Sequence, residues 1–323
     1  MPVTAAELAR WTPVALNLEP GATSLDWGDL AGVRFADPFF HHTVERWAGG
    51  NPAPLVRTDL ASLKALDDAP SLDPCALIFH VSRCGSTLLS RLLGSVPGVL
   101  VVSEPAPVNA LLLADPAALA PLAQAEALRL LVRALGRQRF GDERHYVLKL
   151  SSWNVTRLNL FRRAFPRAAL IWLQRAPHEV AASLVADPPG WAAQQDLAAA
   201  GRAIFGLGTA PASRDEFCVR AVETVLKAAG AVPDWDLVVD HADLPAAAWS
   251  QVAPRLGLAL AAEDIARMAE AARFDAKEPT PLLFAGERRR RPLPEPIRVL
   301  LAPDAEPIYA ALAGRDLPHP ARL

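Results

Sequence analysis

"IFHVSRCGSTLLSRLL", Ile78 to Leu93, is the stretch on which the reading of this chain turns. It opens as an apolar strand, passes through a short polar turn and continues as a helix. Such a layout binds phosphate, because the turn aims backbone N–H groups at a ligand from the positive end of a helix dipole. Gly85 permits close backbone approach, Ser86 and Thr87 add hydroxyl donors, and Arg83 adds a fixed charge. A nucleoside-triphosphate loop places a lysine directly after its last glycine, where it reaches the β and γ phosphates. Here Gly85 is followed by Ser86 and Thr87, and the cation of the turn, Arg83, precedes the glycine. An ordinary strand-to-helix turn with capping serines remains an alternative for this stretch alone.

Working outward, "CALIFHV", "GVLVVS", "HYVLKLS", "AALIWLQ" and "WDLVVD" read as buried strands. Helical patterns separate them: 86–94, a long stretch from about Pro116 to Arg139, 154–164, a helix opening at Pro177, and 213–230 with Ser213 and Glu216 as a capping box. Two more helices are expected at about 245–256 and 262–273, and 187–212 reads as a loop. Strands alternating with helices predict an α/β fold, a parallel sheet sandwiched by helices with right-handed crossovers. Residues 1–72 lack this alternation and read as an N-terminal extension packed on a main domain of 73–323.

Ligands of parallel sheets sit at the carboxyl ends of the strands. Glu104 follows the second of these strands, Lys149, Ser151 and Ser152 end the third, and Arg175 ends the fourth. Ser183 lies eight residues after Arg175, about two turns into the next helix. An arginine and a serine so placed can grip one phosphate from two sides. A single glutamate among these cations reads as a base or a substrate-orienting group.

With these residues the sequence resembles the sulfotransferase family. Its first motif is a basic residue, a small residue, then Gly-Ser/Thr-Thr, matched by Arg83, Cys84, Gly85, Ser86 and Thr87; its second is an arginine with a serine eight residues on, matched by Arg175 and Ser183. "HADL", with Asp243 and Leu244, is similar to a segment after the family's last main strand. The resemblance covers roughly 73–300. It implies a P-loop-like sulfotransferase fold and 3′-phosphoadenosine-5′-phosphosulfate (PAPS) as co-substrate. Arg83 would stand near the sulfuryl–phosphate bridge, and Arg175 and Ser183 would hold the 3′-phosphate. In "FAGERRRRPLP", Gly286 and Arg288, or another of the arginines up to Arg291, stand for the family's glycine-rich segment with its basic residue, although the spacing departs from the family's. No histidine stands at the place of the base in the cytosolic members. Glu104 fits instead the branch, such as the tyrosylprotein enzymes, in which a glutamate follows the second strand. Catalytic residues on this reading are Arg83, Glu104 and Lys149, and no metal is required.

The bulk properties narrow the field. The 323 residues carry a net charge of −2, which leaves no footprint for nucleic acid. Three cysteines without a CxxC pair fit a reducing, cytoplasmic setting rather than a disulfide framework. The N-terminus does not read as a signal peptide, and no apolar run spans a bilayer. His80, inside the first of the five strands, reads as a hydrogen-bonded core residue, and Cys84 as a small loop residue. His41 and His42 are expected to point apart, which disfavours a shared metal. The acceptor is expected to be a small molecule or peptide presenting a hydroxyl or amine. A P-loop kinase or other nucleoside-triphosphate enzyme, and a non-catalytic phosphonucleotide-binding protein, are the alternatives.

Overall fold

A computed structural model describes residues 8, 11–19, 22–50, 55–278, 282–283, 295–301 and 303–314. The chain begins with a sheet of its own. Strands β1 (Thr12–Glu19), β2 (Ala22–Gly28) and β3 (Val56–Asp59) pair antiparallel in that order, with helix α1 (Phe40–Gly50) between β2 and β3. Their signal in the sequence is weak because polar residues interrupt the apolar ones, as in "ATSLDWG" and "VRTD". One buried carboxylate ties them: Asp26 on β2 accepts from Arg57 on β3 and from Asn17 on β1.

The apolar runs of the middle of the chain form a parallel sheet flanked by helices. Its strands are β4 (Ala76–His80), β5 (Val99–Ser103), β6 (His145–Lys149), β7 (Ala169–Gln174) and β8 (Leu237–Asp240), in the order β5-β6-β4-β7-β8. β4 is buried along its whole length, as a central strand with covered faces must be. Helices α2 (Ser86–Gly94), α3 (Ala106–Leu113), α4 (Gln124–Leu135), α5 (Leu158–Ala164), α6 (Pro177–Ala186) and α7 (Arg214–Gly230) connect the strands. Helices α8 (Ala262–Ala271) and α9 (Ala305–Ala313) follow β8. Phe79 of β4 meets Phe161 of α5 and Trp235 edge-on, with ring centroids 5.6 and 5.7 Å apart, so these rings interlock beneath the sheet.

Three expectations need correction. The long helix expected over Pro116–Arg139 is instead a short turn at Pro116–Leu119 followed by α4, which ends at Leu135. Pro116 and Pro121 lack the N–H a helix interior needs, and the Asp115 carboxylate caps the turn by accepting from Ala117 N at 2.9 Å. Residues 187–212 are not all loop: helical turns form at Gly190–Ala192, Leu197–Ala200 and Gly201–Phe205. Trp191, Phe205 and Phe217 pack edge-to-face there and hold the turns against α7. At the start of α7, Ser213 Oγ accepts from Glu216 N at 3.1 Å, but the Glu216 carboxylate reaches back to Ala212 N rather than to Ser213 N.

The N-terminal sheet shares its hydrophobic core with the parallel sheet, through Leu16, Leu25, Trp27 and Phe40. Arginines after α4 lock the two together. Arg137 donates to the carbonyls of Leu8 and Trp11, and Arg139 donates to Thr12 Oγ1. No helix among the described residues is long and apolar enough to cross a membrane.

Candidate active site

The loop between β4 and α2 is shaped by close packing. Gly85 stands at φ +85°, a conformation side chains disfavour. A Cβ there would come within 2.7 Å of Leu244 Cδ1 and 2.9 Å of His241 Nδ1, so the "HADL" segment after β8 seats directly on the loop glycine. Ser86 and Thr87 are buried at the start of α2. Cys84 is fully buried, and burial pushes its thiol up to about 12, which keeps it protonated at neutral pH.

Two non-glycine residues among those described have positive φ: Arg83 at 56° and Glu104 at 49°. They stand at the carboxyl ends of β4 and β5. Left-handed backbone costs about 1–2 kcal/mol for such residues and clusters at functional sites.

Glu104 leaves β5 with its N–H still bonded to the Lys149 carbonyl at 2.8 Å. The Lys149 ammonium donates to Glu104 Oε1, and Ser151 Oγ donates to Oε2 at 3.1 Å. Asn109 of α3 and Asn154 brace this arrangement: Asn109 Nδ2 donates to Ser151 Oγ, and Asn154 Nδ2 donates to Asn109 Oδ1. Lys149 is wholly buried, whereas the Glu104 side chain keeps 23% of its surface exposed. Burial works to raise the pKa of Glu104, but the Lys149 charge and the contacts with His80 and Lys149 together outweigh it and hold the carboxyl well below the usual carboxylate range. His80 lies 3.6 Å from the same carboxylate and is 4% exposed. Burial lowers its pKa, so the ring is neutral and its Nε2–H donates to the Leu150 carbonyl at 2.8 Å. It is a hydrogen-bonded core residue, as expected, but one that adjoins the Glu104 carboxylate.

The N-terminal segment reaches this pair, which the sequence did not reveal. The Lys149 ammonium lies 4.7 Å from the centroid of the Phe39 ring. His41 stacks on Phe39 and is close enough to Glu104 to feel its charge. Contrary to expectation His41 and His42 do not point apart. Their ring centroids are 4.3 Å apart, because Phe39 draws both, one stacked and one edge-on. Burial, and then His42, lower the pKa of His41. Among the described residues no cluster of three or more metal-binding side chains forms.

On the other side of the loop stand the arginines. Arg83 pairs with the Asp187 carboxylate at 2.9 Å and also donates to the Asp187 carbonyl, at the C-terminal end of α6. Arg175 sends Nε to Glu179 at 2.7 Å and a terminal nitrogen to the carbonyl of Arg83 at 3.3 Å, so the end of β7 touches the loop. Glu179 and Ser183 are one turn apart on α6, on one face. A carboxylate therefore lies between the two residues expected to grip one phosphate. Lys277, which the sequence reading passed over, stands near Arg83 and Lys149; burial and both these charges lower its pKa. Gly286 and Arg288 lie outside the described residues.

The geometry thus collects a phosphate-type loop, an ion-paired glutamate and several cations at one edge of a parallel sheet. The chain is similar to solved structures of bacterial sulfotransferases. The sulfotransferase of Mycobacterium tuberculosis H37Rv is 17% identical, with a TM-score of 0.41 over 62% of this chain and 71% of its own. The sulfotransferase domain of the Synechococcus olefin synthase is 16% identical, with a TM-score of 0.45 over 78% of this chain and 98% of its own. A sulfotransferase of Mycobacterium avium is 16% identical, with a TM-score of 0.43 over 86% of this chain and 83% of its own. No protein-family model matches the sequence, and neither does any curated protein.

Proposed function

We propose that this protein is a sulfotransferase that takes a sulfuryl group from PAPS and delivers it to a hydroxyl or amine. The observation that carries the reading is the bond from Arg175 to the Arg83 carbonyl. It sets a second cation beside a phosphate loop that has no lysine after its glycine. A donor with two separate anionic ends, rather than a triphosphate chain, suits two separate cations.

PAPS supplies a sulfuryl group on a 5′-phosphate and carries a distinct 3′-phosphate. The amides at the start of α2, with Ser86 and Thr87, would hold the 5′-phosphate. Arg83, released from Asp187, would face the bridging oxygen, while Arg175 and Ser183 would hold the 3′-phosphate in competition with Glu179. Glu104 is ionised at neutral pH and accepts the acceptor's proton on a carboxylate oxygen. Because its basicity is low, that transfer comes late, once the bond to sulfur has made the acceptor oxygen acidic. The new oxygen–sulfur bond forms as the sulfur–bridging-oxygen bond breaks, and the electron pair stays on the departing nucleotide. Lys149, Arg83 and the loop amides stabilise that charge, in the manner of a loose phosphoryl-type transition state. The buried side of Lys149 and the Phe39 ring keep water from the pair.

Thermal shift with 3′-phosphoadenosine-5′-phosphate, ATP and GTP tests the reading. Stabilisation by the 3′-phosphorylated nucleotide is expected, with transfer of label from PAPS to an acceptor. Stabilisation by ATP or GTP alone would overturn it.

A further inference from the structure

A cavity of about 330 Å³ runs along α2 on the side of the edge strand β5, roofed by residues 33–38 and by the segment after α8. That volume suits a small molecule. Thr87 and Ser103 line one end, so the cavity begins beside the phosphate loop and one residue from Glu104.

Its charged side chains differ in how they are paired. Asp37, Glu143, Arg91 and Arg139 all line it. Arg34 and Glu278 also line it, Arg34 beside Asp142 at 3.7 Å. Two of the three acids, Glu143 and Asp37, are already satisfied. Glu143 accepts from the backbone N–H groups of Arg139, Phe140 and Gly141, and Asp37 accepts from Thr43 and Arg46. Arg91 and Arg139 make no ion pair among the described residues, although the Glu143 charge reaches Arg139. Arg91 donates to the Asp275 carbonyl at 2.6 Å. Arg139 donates to the carbonyls of Arg137 and Leu135 and to Thr12 Oγ1, and its Nε is buried without an acceptor. Phe35 covers one face of the Arg139 guanidinium at 3.9 Å. Guanidinium groups bonded only to neutral oxygens can still take a carboxylate.

We infer that this cavity is the acceptor site and that it selects a small hydroxy acid, its carboxylate held by Arg91 and Arg139 and its hydroxyl directed toward Glu104. This rests on the sulfotransferase reading. Arg91 lies one helical turn beyond Thr87, about 6 Å along the axis, so the acid and the hydroxyl are separated by a short spacer. The hydroxyl loses its proton to Glu104 and gains the sulfuryl group, while the carboxylate takes no part in the chemistry.

The test uses 3-(4-hydroxyphenyl)propionate and its methyl ester with labelled PAPS. The free acid is expected to have a KM roughly ten-fold below that of the ester. Arg91→Gln should erase that difference and leave affinity for 3′-phosphoadenosine-5′-phosphate unchanged, and Arg91→Lys should restore part of it. Equal KM values for acid and ester, or an Arg91→Gln variant that loses nucleotide instead, would overturn the assignment. Calorimetry of the free acid with the nucleotide-free protein separates this inference from the one beneath it. If the nucleotide does not bind but the acid does, and Arg91→Gln abolishes that binding, the donor reading fails and the acid site stands. If the nucleotide binds but the acid does not, the acid site fails alone.

Discussion

Glu104→Gln would leave the Lys149 ammonium fully buried with no carboxylate to answer it. Breaking a buried pair from one side costs about 3 kcal/mol, so the urea midpoint should fall well below that of the parent protein. The sign with pH follows from the depressed pKa of Glu104. Its contribution is present above the unfolded glutamate value, about 4.3, and is lost as pH falls through the lower folded value. The stability gap between parent and Glu104→Gln should therefore narrow below about pH 4; a gap that widens on acidification would refute the pairing. Transfer from PAPS should fall roughly 10²-fold or more in the same variant. From sequence alone the strand-end positions of Glu104 and Lys149 were legible. Their direct pairing was not, nor was the Phe39 ring over the ammonium, because a residue at position 39 carries no local signal of what it covers.

At the level of elements, two joints carry the site. The first is the seat of the "HADL" segment on the turn before α2. Gly85→Ala places a methyl group where Leu244 and His241 already stand, in a left-handed backbone conformation. The expected loss is about 2–4 kcal/mol, read from chemical denaturation, together with loss of nucleotide binding. The second is the contact of Arg83 with the end of α6. Asp187 is 75% exposed in its side chain, so Asp187→Asn should change stability little. Nucleotide affinity should rise a few-fold, since Arg83 no longer has to leave a carboxylate; weaker binding in that variant would show that Asp187 positions Arg83 rather than competing for it. The parallel strands and most of the helices between them could be read from apolar runs and caps, whereas β1, β2 and β3 could not. The break between α3 and α4 was also written in the sequence, in Pro116 and Pro121, but helical periodicity on either side obscured it.

For the molecule as a whole, the N-terminal sheet belongs to the same packing unit as the parallel sheet. Arg137 satisfies the carbonyls of Leu8 and Trp11, and Trp27, Leu25 and Phe40 sit in the common core. A chain lacking residues 1–59 should show no cooperative thermal transition by circular dichroism, because buried arginines and apolar faces would lose their partners. A sharp transition at the parent temperature would show instead that the parallel sheet stands alone. By itself the sequence determined the α/β alternation, the turn with its cation before the glycine, and which charged residues stand at strand ends; each depends on residues near one another along the chain. Only the tertiary structure decided that Glu179 lies between Arg175 and Ser183, that Lys149 is neutralised by Glu104, that His41 and Phe39 join them, and that Arg91 and Arg139 share a cavity in which neither makes an ion pair with a described residue. Most of these contacts join residues dozens of positions apart, and Glu179, close to Arg175 in sequence, shows its competing role only once the side-chain directions are known. Charge balance in a low-dielectric interior is set by such neighbours in space, for which local pattern has no code.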